Sequence, residues 1–248
     1  MTELLQGRLL LLADRLDERA KKYEGLKDSR AVFTHTYTII TRALAGSLVQ
    51  PNSDDPPNFE DPEWIVSLAE AFAARYFVAL DAFDNNGEVP KAWAEVFRVL
   101  KIRYTSVLED LLFAMTAHIV NDLPLALIDV GFTDARIRDY HKVNDILGSN
   151  IQGIEDEVLN RYEPVFKWLD HLSKGQDLIL SNFGFRLSRG MAWYNAIRLM
   201  DPGSSAAVKA ALERSAVELI DKVHNPPILS LRILFRVLRF IAAIFRRW

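Results

Sequence analysis

The chain has 248 residues, and half of them are apolar, which is enough to bury a sizeable core in one large or two small domains. It has no cysteine, which excludes disulfide frameworks, cysteine-rich zinc sites and thiol nucleophiles. The net charge is −3, but residues 228–248 carry five arginines and no acid, so the rest of the chain carries −8. That distribution argues against nucleic acid as a partner of the body of the protein.

Apolar residues recur at three- and four-residue steps along nearly the whole chain, which predicts an all-α fold of nine or ten helices. The first helix is expected over about residues 2–23. Asp28 is placed to cap the second helix. A polar, proline-rich loop follows, and its end, where Asp61 precedes Pro62, is typical of the start of a third helix.

The second half of the chain continues the helical pattern. A long helix is predicted over about residues 105–130, with a bend at Pro124 because proline removes one backbone hydrogen bond. The next helix is expected to end near Gly148. No change in composition divides the chain, so we predict a single all-helical domain over residues 1–226, followed by a basic amphipathic helix over residues 227–248.

The C-terminal segment combines arginines at helical spacing, among them Arg232, Arg236 and Arg239, with a mostly apolar remainder. This pattern predicts an interfacial helix on an anionic membrane surface, and packing on the acidic body or in a dimer interface is the alternative. The N-terminus lacks the basic lead of a signal peptide, and no run of about 18 uncharged apolar residues predicts a membrane span. We therefore expect a cytoplasmic protein, peripheral to the membrane if this helix binds lipid.

Histidine and aspartate pairs occur at positions where the surrounding sequence is apolar. His118 and Asp122 are four residues apart, so they share a helix face, and Asp81 lies in an apolar stretch of its own. A buried carboxylate needs a hydrogen-bonding partner or a cation. An imidazole and a carboxylate one turn apart are typical ligands of zinc, iron or manganese. We predict that Asp81, His118 and Asp122 converge as the catalytic residues.

A second pair, His141 and Asp145, has the same spacing on a more polar helix. Together with the first three residues it completes a predicted set of ligands for one divalent metal ion. The alternative for both pairs is a structural hydrogen bond between helices.

Four further residues are candidates for binding a substrate. Asn121 and Asn144 are expected to orient it, while Phe77 and Trp193 are expected to line an apolar pocket. The segment around Trp193 also places Arg189 on the same helix face.

The segments YFVALDAF, AHIVNDLPLAL, DYHKVNDIL and AWYNA together resemble an uncharacterised, mainly bacterial helical family, domain of unknown function 5995. The resemblance extends from about the second helix to the eighth, and the His-x-x-x-Asp-Leu-Pro-Leu segment is its most specific part. The resemblance implies a structural or functional role for a set of polar and aromatic residues: Asp81, His118, Asp122, Asp139, Asn144 and Trp193. It does not require His141 or Asp145, and it implies no activity.

Three functions are compatible with the sequence. The first is a metal-dependent enzyme, hydrolase-like, with its site around His118. The second is a metal-free helical enzyme, a cyclase or isomerase, that acts on a small apolar substrate. The third is a non-catalytic binding or membrane-associated protein whose polar core fixes the packing of its helices.

Overall fold

The computed structural model describes residues 2–49, 58–101, 105–165 and 182–245, which fold into one globular helical domain without β-strands in that part of the chain. The all-α prediction is confirmed. The helices are α1 (Thr2–Gly25), α2 (Arg30–Ser47), α3 (Pro62–Asp84), α4 (Lys91–Leu100), α5 (Val107–Thr116), α6 (Leu123–Val130), α7 (Ile137–Tyr162), α8 (Asn182–Leu199), α9 (Ser205–His224) and α10 (Leu229–Phe245). A π-helical turn (Ala117–Asp122) joins α5 to α6.

Two helix starts follow from the capping residues that the sequence indicates. The side chain of Asp61 accepts a hydrogen bond from the backbone N–H of Trp64 at 3.0 Å, beside Pro62 in the first turn of α3. Asp28 accepts the backbone N–H of Arg30 at 2.9 Å. Each bond satisfies a donor that the first turn of a helix leaves without an intrahelical partner.

The prediction that a helix ends near Gly148 is wrong, because α7 continues through this glycine to Tyr162. A glycine inside a helix costs only about 1 kcal/mol relative to alanine. Burial of Leu147, Ile154 and Val158 on the same helix outweighs that cost. A separate helix was predicted from beyond Gly148 to about residue 172, and its predicted end lies outside the described residues.

The π-helical turn lies at the centre of the helices, in contact with α3, α4, α5, α6, α8 and α9. The N–H of Leu123, its C-terminal neighbour, donates to the carbonyl of His118, five residues back. Pro124 follows directly and has no N–H to donate, which favours a local departure from the α-helical ladder. The bend that we expected at this proline takes the form of a π turn just before it.

The continuous helical stretch Val107–Val130 is long and apolar enough to cross a membrane, and no other helix among the described residues is. However, 67% of its most apolar window is buried inside the protein, as expected for the core helix of a globular domain.

The basic C-terminal helix α10 lies against the body through one face. Phe235 and Ala242 are buried, and Arg239 donates from Nε and Nη2 to Oε1 of Glu109 at 2.9 and 2.7 Å. Glu109 is fully buried, so this contact neutralises a carboxylate that would otherwise be costly. Arg246 and Arg247, which belong to the predicted basic segment, lie outside the described residues.

We expect the substitution Arg239→Met to lower the free energy of unfolding by about 2–3 kcal/mol, because it leaves the carboxylate of Glu109 buried without its cation. This loss of stability is smaller than the loss expected for a fully buried ion pair, because Arg239 is partly exposed. Urea denaturation would measure the change. The control is Arg236→Met on the exposed side of the same helix, which should have almost no effect, and equal stabilities of the two variants would contradict the prediction.

Candidate functional site

The π-helical turn brings His118 and Asp122 together. Nδ1 of His118 lies 3.0 Å from Oδ2 of Asp122, and both side chains are buried. The pairing that the four-residue spacing predicts is therefore present, on a turn that is π-helical rather than α-helical. π-helical turns inside α-helices occur frequently at functional sites.

The carboxylate of Asp122 has three hydrogen-bond donors within the protein. Nε1 of Trp93 donates to Oδ2 at 2.7 Å, and Nδ2 of Asn121 donates to Oδ1 at 2.9 Å. His118 supplies the third contact. Because an ionised carboxylate can only accept, this network assigns the ring proton of His118 to Nδ1. Trp93, Asn121 and His118 thus satisfy the buried carboxylate.

The other ring nitrogen of His118, Nε2, has no hydrogen-bond partner among the residues that the structure describes. The ring is stacked on Phe72, with centroids 3.5 Å apart and planes inclined by 8°, and the ring of Tyr37 lies at 5.1 Å. Burial lowers the pKa of His118, although the adjacent Asp122 acts in the opposite direction. The imidazole is therefore neutral at neutral pH, and Nε2 carries a free lone pair.

A cavity of about 110 Å³ adjoins this ring, and His118, Tyr37 and Phe72 form part of its wall. Most of the other lining residues are aliphatic or aromatic, from α2, α3, α7 and the segment around the π-helical turn. An apolar cavity of about 150 Å³ in another protein holds benzene, so a volume of this order admits a small organic molecule. An adjacent cavity of about 50 Å³ shares Thr36, Ile40 and other wall residues with it.

Two more buried polar side chains belong to the wall of the larger cavity. The hydroxyl of Tyr37 has no hydrogen-bond partner in the described part of the chain, and burial raises its pKa, so it stays protonated. Arg189 is buried as well; its Nε donates to Oδ1 of Asn144 at 2.5 Å, and its guanidinium carbon lies 4.4 Å from the ring centroid of Tyr140. No acidic side chain within the described ranges pairs with Arg189.

The predicted convergence of Asp81 with His118 is wrong. Asp81 is exposed on α3 and accepts from Nη2 of Arg19 on α1 at 2.6 Å. The apolar residues beside it in the sequence point to other sides of the helix, and Val78, one turn earlier, is itself 60% exposed. An ion pair at the surface, rather than a metal ion, accounts for this carboxylate.

The second predicted pair also lies apart from the first. His141 and Asp145 are exposed on α7; Asp145 pairs with Arg186, and His141 lies 3.3 Å from Nδ2 of Asn144. Among the residues described, no group of three potential metal-ligating side chains lies close together. Of the five predicted ligands only His118 and Asp122 adjoin, so the donor set does not fit the metal centre that we predicted.

The predicted substrate-binding residues divide between the site and the core. Asn144 holds the wall residue Arg189, and Asn121 contacts Asp122, which in turn holds the wall residue His118; neither asparagine lines the cavity itself. Trp193 is buried in a group of aromatic rings that includes Phe132 at 4.7 Å. Phe77 lies under the guanidinium of Arg15, away from the cavity.

Asp139, which the family resemblance implies to be important, accepts from the backbone N–H groups of Glu60 and Asp61 at 2.8 and 2.6 Å. It therefore fixes the chain that leads into α3, a structural role.

Sequence reasoning missed Trp93, Tyr37 and Phe72, because aromatic residues at helical spacing do not differ from ordinary core residues until their partners are known. For α2, the helix that carries Tyr37, the sequence does contain an indication of burial, because this helix is rich in threonine. The hydroxyls of Thr34, Thr36, Thr38 and Thr41 donate to carbonyls four residues earlier, so this polar helix can be buried.

The lowered pKa of His118 predicts a stability that depends on pH. His118 takes up a proton near pH 6.5 in the unfolded state, but only at lower pH in the folded state. Its contribution to the free energy of unfolding is therefore complete above about pH 6.5 and is lost as the pH falls below that value. The loss reaches at most about 1.4 kcal/mol per pH unit while the folded ring stays neutral. Burial lowers the pKa values of His35 and His224 too, and they add to the loss.

We expect the variant His118→Asn, which keeps a donor for Asp122 but cannot be protonated, to lose less stability than the wild type between about pH 7 and pH 5. Chemical denaturation at several pH values would measure this. The exposed His141 provides the matched control, His141→Asn, whose pH profile should follow that of the wild type. Parallel profiles of His118→Asn and the wild type would show that His118 is not buried as a neutral ring.

No curated protein and no solved structure matches the chain. A family model does match it, over residues 11–226, which extend from within α1 to the end of α9 and include every residue of the site. Its description is Family of unknown function (DUF5995), the family that the sequence segments resemble. The chain belongs to this uncharacterised family, DUF5995.

Proposed function

We propose that the protein is a metal-free enzyme that binds a small, largely apolar molecule in the cavity beside His118 and isomerises it by proton transfer. The observation that carries the proposal is the orphaned Nε2 of a buried histidine in the wall of an apolar cavity. A buried polar atom without a partner costs about 1–3 kcal/mol, so a bound molecule that supplies the partner would recover that cost.

The arrangement around His118 suits a general base. Asp122 fixes the ring orientation and the tautomer, and it would stabilise the imidazolium that forms when Nε2 takes a proton. Trp93 and Asn121 hold the carboxylate in place in turn. The lowered pKa of His118 keeps the base in its neutral, accepting form near neutral pH.

Tyr37 supports the same reaction class. Its protonated hydroxyl lacks a partner and belongs to the same cavity wall, so it can donate to an oxygen on which negative charge develops. In the isomerisation of a β,γ-unsaturated carbonyl compound, His118 removes a proton from the carbon between the carbonyl group and the double bond. It returns that proton to the far end of the resulting dienolate, so that the double bond moves into conjugation with the carbonyl group. The step is redox-neutral and needs no co-reactant.

The alternatives have less support. For a metal-dependent hydrolase, using zinc, iron or manganese, Nε2 of His118 offers one ligand, while Asp81, His141 and Asp145 lie at the surface with other partners. A non-catalytic binding protein would use the same cavity. The two functions differ in one measurable respect: only an enzyme would exchange hydrogen atoms of the bound molecule with those of the solvent.

We expect small molecules extracted from the purified protein to include an apolar compound with one carbonyl group, identified by mass spectrometry. Incubation of the wild type with that compound in D₂O should incorporate deuterium, whereas His118→Gln should bind the compound and reduce the exchange rate at least a hundredfold, the low end of what a positioned base contributes.

His141→Gln serves as the control, since this histidine is exposed, and it should exchange like the wild type. A bound compound that gains no deuterium would favour the non-catalytic reading. A folded wild type that yields no compound and binds no apolar probe, such as anilinonaphthalene sulfonate, would contradict the proposal.

We also propose that α10 lies on an anionic membrane surface. Its outer side carries a row of exposed apolar residues at helical spacing: Leu229, Ile233, Val237, Phe240 and Ile244. The exposed arginines 232 and 236 border this row on one side, and α10 contains no acidic residue. Apolar residues bordered by arginines fit the boundary between acyl chains and anionic headgroups.

The double variant Ile233→Ser and Phe240→Ser should lower binding to phosphatidylserine-containing vesicles at least tenfold, because each lost side chain contributes about 1.5–3 kcal/mol when it is buried in lipid. Sedimentation with vesicles would measure the change. Leu11→Ser and Val78→Ser, which remove exposed apolar residues elsewhere, form the control pair. If the wild type does not bind these vesicles, or binds them no better than phosphatidylcholine vesicles, the membrane proposal is wrong.

A further inference from the structure

Arg189 is a buried cation beside the cavity, and it has no anionic partner among the residues that the structure describes. Its side chain is only about 5% exposed, and none of the described acidic residues forms an ion pair with it. Leaving a charge buried without a counter-charge costs several kcal/mol, so such residues are paired in nearly all proteins. Arg189 therefore requires an explanation that the packing of the chain does not supply.

The contacts of Arg189 hold its guanidinium group in place without neutralising it. Nε donates to Oδ1 of Asn144, and the ring of Tyr140 lies under the group at 4.4 Å. The hydroxyl of Tyr140 donates to the backbone carbonyl of Arg189 at 2.7 Å, which fixes the same stretch of α8. These partners are uncharged, and they use one of the five N–H donors of the side chain.

The remaining donors of Arg189 suit a carboxylate. A guanidinium group presents parallel N–H bonds that match the two oxygens of a carboxylate, and the contact is strong when water is excluded. Tyr37, in the same cavity wall, has a hydroxyl without a partner among the described residues, and it can donate to a second oxygen of the ligand. The two side chains provide a cation and a neutral donor at a cavity that is otherwise largely apolar.

The shape of the empty space indicates the rest of the ligand. The cavity with Arg189 in its wall measures about 110 Å³, and the adjacent cavity of about 50 Å³ shares with it Thr36, Ile40, Met115, Leu147 and Phe185. The smaller cavity is lined mainly by aliphatic side chains such as Leu111 and Ile154. A head group at Arg189 thus leaves apolar space in which a hydrocarbon chain of moderate length loses contact with water.

We propose that the cavity binds a medium-chain carboxylic acid as its anion, with the carboxylate on Arg189 and the hydrocarbon chain among the apolar residues. This inference rests on the proposed function for the existence of an occupant, and it names the chemical class of that occupant. Arg189 binds the head group, and proton transfer to His118 takes place beside a separate carbonyl group of the chain, because an imidazole cannot deprotonate a carbon next to a carboxylate anion.

The test compares octanoate with octan-1-ol, which has the same chain and no charge, by titration calorimetry on the full-length protein. The wild type should bind octanoate at least tenfold more tightly than the alcohol. Arg189→Met, which keeps the length of the side chain but removes its charge, should lose that preference by weakening octanoate alone. Arg189→Lys should retain part of it, and Arg198→Met, on an exposed position of the same helix, should behave like the wild type.

The outcomes separate the two proposals. Equal affinities of the wild type for octanoate and octan-1-ol would overturn the carboxylate inference and leave the apolar cavity as a binding site. A preference for octanoate that persists in Arg189→Met would also overturn it, because another group would then bind the carboxylate. If neither compound binds to the folded wild type, both proposals fail. The comparison in the wild type decides the question even if Arg189→Met does not fold.

Discussion

The carboxylate of Asp122 joins α4 to the π-helical turn at the centre of the bundle. Trp93 approaches from one side, and His118 and Asn121 from the turn itself, so that one buried charge receives three donors. A carboxylate in apolar surroundings is tolerated only when its lone pairs are satisfied in this way. The positions of α4 and of the turn are therefore coupled: moving either one would leave a buried ion with too few donors.

That coupling determines what His118 can do. Because Asp122 occupies Nδ1, the ring has a single tautomer, and the stacked Phe72 fixes its plane. The second nitrogen then faces surroundings that offer it no partner within the described residues. The ring nitrogens of the buried His35 also lack hydrogen-bond partners within the described residues, but His35 does not line the cavity. The half-satisfied ring, at the wall of an apolar cavity, is the feature that distinguishes a candidate site from a structural hydrogen bond.

Two buried arginines in the described part of the chain, Arg30 and Arg189, differ in how their charge is compensated. Arg30 pairs with Asp28 and Asp84, so its charge is neutralised within the protein. Arg189 has an amide, aromatic rings and a cavity as its neighbours, and no acid from the described chain. Burial lowers the pKa of Arg189, whereas at Arg30 the effect of burial is outweighed by the carboxylates of Asp28 and Asp84, which raise the pKa, so the contrast lies in the missing counter-charge, which a ligand can provide.

Periodicity and capping residues predicted most of the helices, although not the continuation of α7 past Gly148. Helix formation depends on neighbours within one or two turns, and for that reason Asp61 with Pro62 and the recurring apolar positions indicate the elements correctly. The pairing of His118 with Asp122 is also local, since four residues span one turn and both side chains emerge on one side. The match to the family follows from the same segments.

The rest depended on contacts between distant parts of the chain. Asp81 was predicted to be buried because its sequence neighbours are apolar, but the side of α3 that it occupies is set by the packing of α1, which brings Arg19 to it. Trp93 and Arg189 reach the site from helices far along the sequence, and no local pattern indicates which buried side chain lacks a partner. The sequence by itself thus determined the helices and the His118–Asp122 pair, because both follow from short-range geometry. Only the tertiary structure decided which charges are paired, which polar atoms are left free and where a cavity remains, because these are properties of how separate helices fill space.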